Sequence, residues 1–315
     1  GIEAIIVGSD AVMQHHPLIT RINRGKRKPF YISPIGCDRL FPNPLWGVGV
    51  APEVKMALMS GSSQNSKYRM FTPSTRRAMR DALSRFTYLG VRDNWTLKMF
   101  QEGIGVENVN LTPDPVFSFN YNAGDMVPSK DEVREMFSLP EKYVLVSLHG
   151  QDISYYQLAD LKNEFAKKGY TCVALPMPTG VRFKHPFEKE IPTPLSPIHW
   201  YALIKYADGY VGSNMHPIVV SLHNAVPCFS IDNWGTRNWL GKATDDGSSK
   251  VGDIMNICGV GENRISIGLK GCKINPQFIV DAIENFPKLK VEQTVSALYT
   301  NYQNMMSNIL NSFGY

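Results

Sequence analysis

The sequence predicts an α/β protein of two domains, each built on a parallel sheet. The chain has 315 residues, of which 43% are hydrophobic, and this is enough for two cores of ordinary size. Short apolar runs typical of buried strands alternate with segments of helical periodicity nearly throughout, as in βαβ units. A turn-rich, unpatterned stretch over residues 120–128 indicates a linker between the domains.

These signals give the domain boundaries and the order of elements. We expect a first domain over residues 1–122, a second over 129–290, and a C-terminal helix over 291–315 that packs back on the first domain. The elements predicted in the first domain are a strand ending at Gly8, a helix capped by Ser74 with Met79, Ala82, Leu83 and Phe86 on one face, a strand over 88–91, a helix capped by Asp93 or Asn94 that stops at Gly103, and a strand over 109–111.

The second domain is predicted to continue the same alternation. Its elements are a helix over 129–137, a strand over 143–149, a helix with Leu158, Leu161 and Phe165 on one face, a strand over 171–175, a long loop over 176–197 with His185 at the surface, and a helix over 198–206. The last helix of the chain carries apolar side chains at three- and four-residue steps, at Val295, Leu298, Tyr302, Met305 and Ile309.

Residues 209–232 are the most informative stretch of the chain. They predict a buried strand, a polar turn, a short helix with Pro217 in its first turn, and a second strand. Ser213 or Asn214 can cap the helix, and its N-terminus presents backbone N–H groups and a positive dipole end to an anion. His216 lies at that point of the sequence, although a well-capped helix with an incidental histidine explains the pattern equally well.

Ligands of open α/β sheets bind beyond the carboxyl ends of the strands, so the polar residues that follow strands are the site candidates. These candidates are Gly8, Ser9, Asp10, Arg92, Asp114, His149, Ser213, Asn214, His216 and Arg237. Local explanations compete with a binding role: Arg92 can pair with a neighbouring acid, Asp114 can be a turn former, and Asp10 can be a helix cap.

Three segments resemble, in order, the motifs of the polysaccharide pyruvyl transferase family. They are Ile5-Ile-Val-Gly-Ser-Asp10, then Val91-Arg-Asp-Asn-Trp-Thr96 with Thr112-Pro-Asp-Pro-Val-Phe117, and finally the strand-turn-helix over 209–232. The resemblance spans about residues 5–235. It departs from the family at Asn214, where the family has arginine, and this puts the usual mode of donor binding in doubt.

The resemblance implies a GT-B-like fold, with two Rossmann-like domains facing a cleft and the C-terminal helix crossing back. It implies that the first domain lacks an earlier βαβ portion, because the chain opens directly on a strand pattern. The implied activity is transfer of pyruvate from phosphoenolpyruvate to hydroxyls of a saccharide or lipid-linked glycan as a ketal, in bacterial exopolysaccharide biosynthesis. The implied location is cytoplasmic, at the inner face of the membrane.

That reaction assigns roles to the candidate residues. His216 and His149 are candidates for the proton transfers, and Asp10 or Asp114 for the base or for orienting a histidine. Arg92 suits two-point recognition of a carboxylate or phosphate. Arg237 can replace the charge missing at Asn214. Gly8, Ser9 and Ser213 are predicted to contact substrate.

Missing motifs exclude several other classes. The sequence has no P-loop, no G-x-S-x-G, no H-E-x-x-H and no G-x-G-x-x-G, which argues against an NTPase, a serine hydrolase and a dehydrogenase. Five cysteines without a C-x-x-C pair suggest neither a disulfide framework nor a zinc site, and they favour a reducing compartment. We predict no cofactor, no secretory signal, no transmembrane segment and no nucleic-acid partner.

Two other functions remain open at this stage. One is a glycosyltransferase of the same fold that uses a nucleotide sugar, which the asparagine at position 214 favours. The other is a non-catalytic glycan-binding homologue, in which the altered motif no longer supports chemistry. Scattered carboxylates could hold a divalent ion, but no ligand spacing requires one.

Overall fold

A computed structural model describes residues 1–15, 41–148, 153–177, 180, 182–236, 244, 246–268 and 271–315. The chain divides into two compact units. The first comprises Gly1–Pro115, Thr244–Lys250 and Leu298–Tyr315, and the second comprises Val116–Ala243 and Val251–Ala297. The predicted His149 and Arg237 lie outside the described residues.

The first unit contains a parallel sheet of four strands in the order β1-β2-β3-β4. The strands are β1 (Ala4–Gly8), β2 (Lys55–Gly61), β3 (Phe86–Val91) and β4 (Asn110–Leu111). Helix α1 (Pro73–Leu83) connects β2 to β3, and α2 (Asn94–Lys98) continues as a π-helical segment over Met99–Ile104.

The caps of these helices correct the predicted boundaries. Thr72, and not Ser74, caps α1: its side chain accepts from the Thr75 amide, and Pro73 fills the first helical position. Asp93 caps α2 as predicted, but the helix runs past Gly103 and ends at Gly105, whose positive φ of 83° suits glycine. Phe86 begins β3 instead of extending the face of α1.

The second unit contains a parallel sheet of six strands in the order β10-β9-β8-β5-β6-β7. The strands are β5 (Tyr143–Ser147), β6 (Thr171–Ala174), β7 (Lys189–Glu190), β8 (Gly209–Gly212), β9 (Cys228–Asp232) and β10 (Arg264–Ser266). Strands β5, β8 and β9 are buried along their whole length, as is usual when helices cover both faces of a parallel sheet.

The remaining helices are α3 (Phe119–Ala123), α4 (Lys130–Met136), α5 (Tyr155–Lys167), α6 (Pro197–Lys205), α7 (Met215–His223), α8 (Lys250–Ile257), α9 (Pro276–Glu284) and α10 (Lys288–Phe313). The end of α10 packs Met305, Ile309 and Phe313 against Ala57 of β2 in the first unit. In the parts of the chain that the structure describes, no helix is both long and apolar enough to span a bilayer.

The predicted α/β class with two parallel sheets is confirmed. Two further local predictions are wrong. The stretch over 120–128 contains most of α3 and the 3₁₀ turn Gly124–Met126. His185 is not a surface residue, because its Nε2 lies 2.9 Å from Glu190 Oε2 and its ring stacks on Phe187.

Candidate functional site

Asp10, Arg92 and Asp114 meet at the carboxyl edge of the first sheet. Each follows a parallel strand of that sheet (β1, β3 and β4), so their strands deliver them to one edge. Arg92 Nη1 donates to Asp114 Oδ2 at 2.7 Å and to the Ser9 carbonyl at 3.3 Å. Its Nη2 lies 3.7 Å from Asp10 Oδ1. We name this group, together with Asp93 and Lys250, the strand-end cluster.

Backbone hydrogen bonds fix the cluster in place. The Asp10 carbonyl accepts from the Ser62 amide at 2.9 Å, just after β2, and the Arg92 amide donates to the Gly61 carbonyl at 3.1 Å. On the other side, the Thr112 amide donates to the Val91 carbonyl at 2.7 Å. The positions of the charged side chains are therefore set by the sheet itself.

Arg92 retains hydrogen-bond donors that nothing in the described chain accepts. Its side chain is only 2% exposed, and neither Nε nor Nη2 has a hydrogen-bond partner among the described residues. A buried donor without an acceptor costs about 1–3 kcal/mol, so an anion that met these donors would recover that energy. The free Nε–Nη2 edge is the side of a guanidinium that binds a carboxylate or phosphate through two parallel bonds.

Arg264 shows how this chain satisfies a structural arginine. In the second unit, its Nε and Nη2 donate to the two oxygens of Asp232 at 2.9 and 2.8 Å, and Nη2 also donates to the Trp234 carbonyl. The fork of Arg264 is thus occupied by its own protein. By contrast, among the described residues Arg92 makes its side-chain hydrogen bonds through Nη1 alone, and its Nη2 has only the 3.7 Å ion pair with Asp10.

Asp10 is the solvent-facing member of the cluster. Its side chain is 49% exposed, whereas that of Asp114 is 6% exposed. Asp114 is bonded to Arg92, which supports a positioning role for this carboxylate rather than that of a base. Ser9 contributes its carbonyl to Arg92, and Gly8 ends β1, where an added Cβ would lie 3.3 Å from Met59 Cε.

The cluster contains two further charged residues, of which only Lys250 lies outside the loops that the sequence indicated. Asp93 is buried and caps α2 by accepting from the Thr96 amide and hydroxyl, and burial raises the pKa of its carboxyl. Lys250, the first residue of α8, is buried in the same unit. Burial lowers the pKa of the Lys250 amine, as does Arg92, while Asp10, Asp93 and Asp114 raise it.

The strand-turn-helix over 209–232 forms as predicted in the second unit. Asn214 occupies the cap position of α7, but its side chain makes no capping bond and instead donates to Met177 Sδ at 3.0 Å. The Ser213 amide donates to the Ser147 carbonyl at 3.0 Å, and the Ser213 carbonyl accepts from Trp234 Nε1 at 2.9 Å. His216, at the second helical position, is exposed to solvent.

Gly212, which ends β8 just before this turn, has no room for a side chain. A Cβ at this position would lie 2.0 Å from the Tyr210 hydroxyl and 2.5 Å from the Ser147 carbonyl. We expect Gly212→Ala to lower the free energy of unfolding by about 3 kcal/mol, because the buried neighbours must shift. The control is Gly209→Ala in the same strand, where the nearest atoms are side-chain methyl groups at 3.1 Å or more. Equal urea midpoints for the two variants would contradict this prediction.

His223, at the end of α7, is predicted from the structure to make stability pH-dependent. Its Nε2 accepts from the Asn120 amide at 3.4 Å, its Nδ1 has no partner among the described residues, and burial together with nearby Lys205 lowers its pKa to about 4. An unfolded histidine titrates near pH 6.5, so between about pH 6.5 and 4 the unfolded state binds more protons. We therefore expect up to about 3 kcal/mol of stability to be lost as the pH falls through that window.

The measurement is urea unfolding of the wild type and His223→Gln at several pH values between 7 and 4. The variant should lose less stability than the wild type as the pH falls. The half-buried His199 on α6 gives the control variant His199→Gln, which should retain the wild-type pH dependence. If the wild type and His223→Gln follow parallel curves, the expectation is wrong.

Two units with parallel sheets, each with polar side chains at the carboxyl ends of its strands, define an α/β protein with the usual site architecture of open sheets. The sequence matches the polysaccharide pyruvyl transferase family over residues 2–235. The chain belongs to this family, as its motifs predicted, and the family identifies it as a transferase of polysaccharide modification. It has no significant match among curated proteins.

The structure is also similar to solved structures of distant sequence. The wall teichoic acid polymerase TagF matches with 13% identity and a TM-score of 0.43, over 82% of this chain and 71% of that chain. UDP-GlcNAc 2-epimerase from Methanocaldococcus jannaschii matches with 14% identity and a TM-score of 0.46, over 78% and 70%. The epimerase from Neisseria meningitidis matches with 11% identity and a TM-score of 0.46, over 82% and 76%. These identities and TM-scores are too low for the substrates or reactions of those proteins to be inferred for this chain.

Proposed function

We propose that this protein transfers pyruvate from phosphoenolpyruvate to two hydroxyls of a saccharide, as a ketal, in bacterial exopolysaccharide biosynthesis in the cytoplasm. The observation that carries the proposal is the Nε–Nη2 edge of Arg92, which has no hydrogen-bond acceptor among the described residues. A buried guanidinium edge of this kind suits a small, highly anionic donor, and Arg92 lies in the part of the chain that matches the family.

In net terms the chemistry moves two protons and releases one leaving group. A general acid protonates the methylene carbon of phosphoenolpyruvate, which becomes the methyl group and leaves the central carbon electrophilic. The two sugar hydroxyls attack that carbon in turn, and the carbon–oxygen bond to phosphate breaks between the two attacks. One hydroxyl proton balances the proton given to the methyl group, and the other leaves with inorganic phosphate.

The described residues supply several of these functions. Arg92 would hold the donor carboxylate, and Asp114 would keep the guanidinium oriented through its 2.7 Å bond. Asp10 would accept the hydroxyl protons, because it is the exposed carboxylate of the cluster. In this proposal phosphoenolpyruvate and a saccharide or lipid-linked glycan are the substrates.

The test is an assay of the full chain with phosphoenolpyruvate and a panel of neutral saccharides. Phosphate release that depends on the saccharide, together with a new methyl resonance of the ketal by NMR, is the expected result. Calorimetric titration with phosphoenolpyruvate, UDP and GDP runs beside it. A folded chain that binds no phosphoenolpyruvate would overturn the proposal.

Asn214 supports a second candidate function, that of a glycosyltransferase that uses a nucleotide sugar. The residue places a neutral amide where the family has arginine, and that amide contacts Met177. A nucleotide diphosphate donor needs less positive charge from the protein at that position than phosphoenolpyruvate does. Binding of UDP or GDP without binding of phosphoenolpyruvate would favour this function. A non-catalytic glycan-binding protein would instead bind saccharide equally well as wild type and as His216→Ala.

A further inference from the structure

The first unit contains a cavity of about 390 Å³ that is separate from the strand-end cluster. Its walls come from the end of α1, from β3, from the start of β4 and from the last turns of α10. The lining residues of β3 run from Phe86 to Leu89, so they stop short of the strand end that leads to Arg92. Among the described residues, the lining includes no member of the strand-end cluster. The cavity is therefore a candidate for a second binding site.

Three asparagines give this cavity its polar character, and we name it the asparagine cavity. Asn108, Asn110 and Asn308 all line it, and all three are exposed to solvent. A side-chain amide offers an acceptor oxygen and two N–H donors. Asn110 Nδ2 donates to the Leu89 carbonyl at 3.3 Å, a bond that leaves the Asn110 oxygen unused. The lining thus presents several donors and acceptors of neutral charge to a ligand.

Contacts between β3 and α10 hold the walls of the cavity together. The half-buried Tyr88 on β3 hydrogen-bonds through its hydroxyl to the Asn308 side chain, and burial raises the pKa of that hydroxyl, which keeps it neutral. One residue earlier, Thr87 Oγ1 lies 2.9 Å from Ser312 Oγ. Between these contacts the buried Phe86 supplies apolar wall. The cavity therefore combines fixed apolar surface with neutral polar groups, as small-molecule sites do.

The charge of the lining limits the class of ligand. In the part of the chain that the structure describes, no charged residue lines the asparagine cavity. Arg85, which precedes Phe86, is directed elsewhere: its Nη1 donates to the Gly47 carbonyl at 2.6 Å and its Nη2 to the Ala51 carbonyl at 3.0 Å. A charged ligand would lose hydration there without gaining a partner of opposite charge, and this disfavours its binding.

We infer that the asparagine cavity binds a segment of a neutral glycan, apart from the site of the reaction. A sugar ring presents C–H groups on its faces and hydroxyls around its rim, so apolar walls edged by amides complement it. One amide can accept a hydrogen bond from one hydroxyl and donate to the next. The volume lies within the roughly 300–1,000 Å³ of ligand sites. The inference draws on the family, which modifies polysaccharides, and does not depend on pyruvyl transfer.

The test is calorimetric titration of the full chain with neutral tetrasaccharides of glucose, galactose and mannose, and with tetragalacturonate as the charged comparison. We expect at least one neutral tetrasaccharide to bind more tightly than tetragalacturonate. The double variant Asn108→Ala/Asn308→Ala should bind that tetrasaccharide about 10-fold more weakly, because it removes the hydrogen bonds of two amides.

The matched control is the double variant Asn301→Ala/Asn304→Ala. It removes two exposed asparagines of α10 that do not line the cavity, and it should bind the tetrasaccharide as the wild type does. Since all four positions are exposed, both double variants should melt within about 3 °C of the wild type. The inference is overturned if no neutral tetrasaccharide binds, if tetragalacturonate binds as tightly, or if Asn108→Ala/Asn308→Ala keeps the wild-type affinity.

These results separate the inference from the proposed function. Phosphoenolpyruvate affinity should be the same in the wild type and in Asn108→Ala/Asn308→Ala, because the cavity excludes the strand-end cluster. If the wild type forms a ketal but tetrasaccharide binding ignores the two asparagines, the glycan site is wrong and the proposed function stands. If binding depends on them but no saccharide yields a ketal, the proposed function fails and the glycan site stands.

Discussion

Arg92→Lys is expected to weaken phosphoenolpyruvate binding about 100-fold while the protein remains folded. Lysine can keep a charge beside Asp114, so the buried carboxylate retains a cationic partner. It cannot supply the Nε–Nη2 edge, and two parallel bonds to one anion are replaced by a single point contact at best. Since that edge is assigned to the carboxylate, pyruvate affinity should fall as well, whereas phosphate affinity should be much less affected. Calorimetry with the three ligands measures this directly.

Lysine is a better substitution than alanine for testing whether Arg92 binds the donor. Arg92→Ala would break the buried 2.7 Å ion pair with Asp114, which costs about 3–5 kcal/mol and confuses a loss of binding with a loss of folding. Arg77→Lys, an exposed position on α1, is the matched control and should bind phosphoenolpyruvate as the wild type does. Wild-type affinity in a folded Arg92→Lys protein would show that its unpartnered donors are not the donor site.

The strand-end residues could be predicted from the sequence because their position follows from chain direction alone. A polar residue directly after a buried parallel strand must lie at the carboxyl edge of the sheet, and adjacent strands bring such residues together. Asp10, Arg92 and Asp114 were therefore among the ten candidates predicted at strand ends. The sequence left open whether Arg92 pairs with an acid or binds a ligand. In the structure Nη1 bonds to Asp114 and Nη2 lies 3.7 Å from Asp10, while neither Nε nor Nη2 has a hydrogen-bond acceptor among the described residues.

Lys250 could not be predicted in the same way. Its neighbours in sequence carry no motif, and its place depends on contacts between the segment over 246–249 and α2, about 150 residues earlier. Burial of a lysine at the start of an apolar helix is a weak signal, because most lysines are exposed. The cap of α1 was misplaced for a local reason: both Thr72 and Ser74 are good caps, and Pro73 at the first helical position decides between them.

Asp10→Asn is expected to separate donor binding from turnover. Asparagine has the same shape as aspartate but no charge. Because Asp10 Oδ1 lies 3.7 Å from Arg92 Nη2, the substitution removes a negative charge that would repel the incoming anion. A gain of about 1 kcal/mol, or roughly fivefold in phosphoenolpyruvate affinity, follows for an exposed charge at this range. Turnover should fall by about 100-fold or more, because an amide cannot accept the hydroxyl proton. Asp81→Asn, an exposed position on α1, should change neither quantity. Wild-type turnover in Asp10→Asn would exclude this residue as the base. Tighter donor binding together with lost turnover is expected of a carboxylate that faces the donor and acts only in the chemical step.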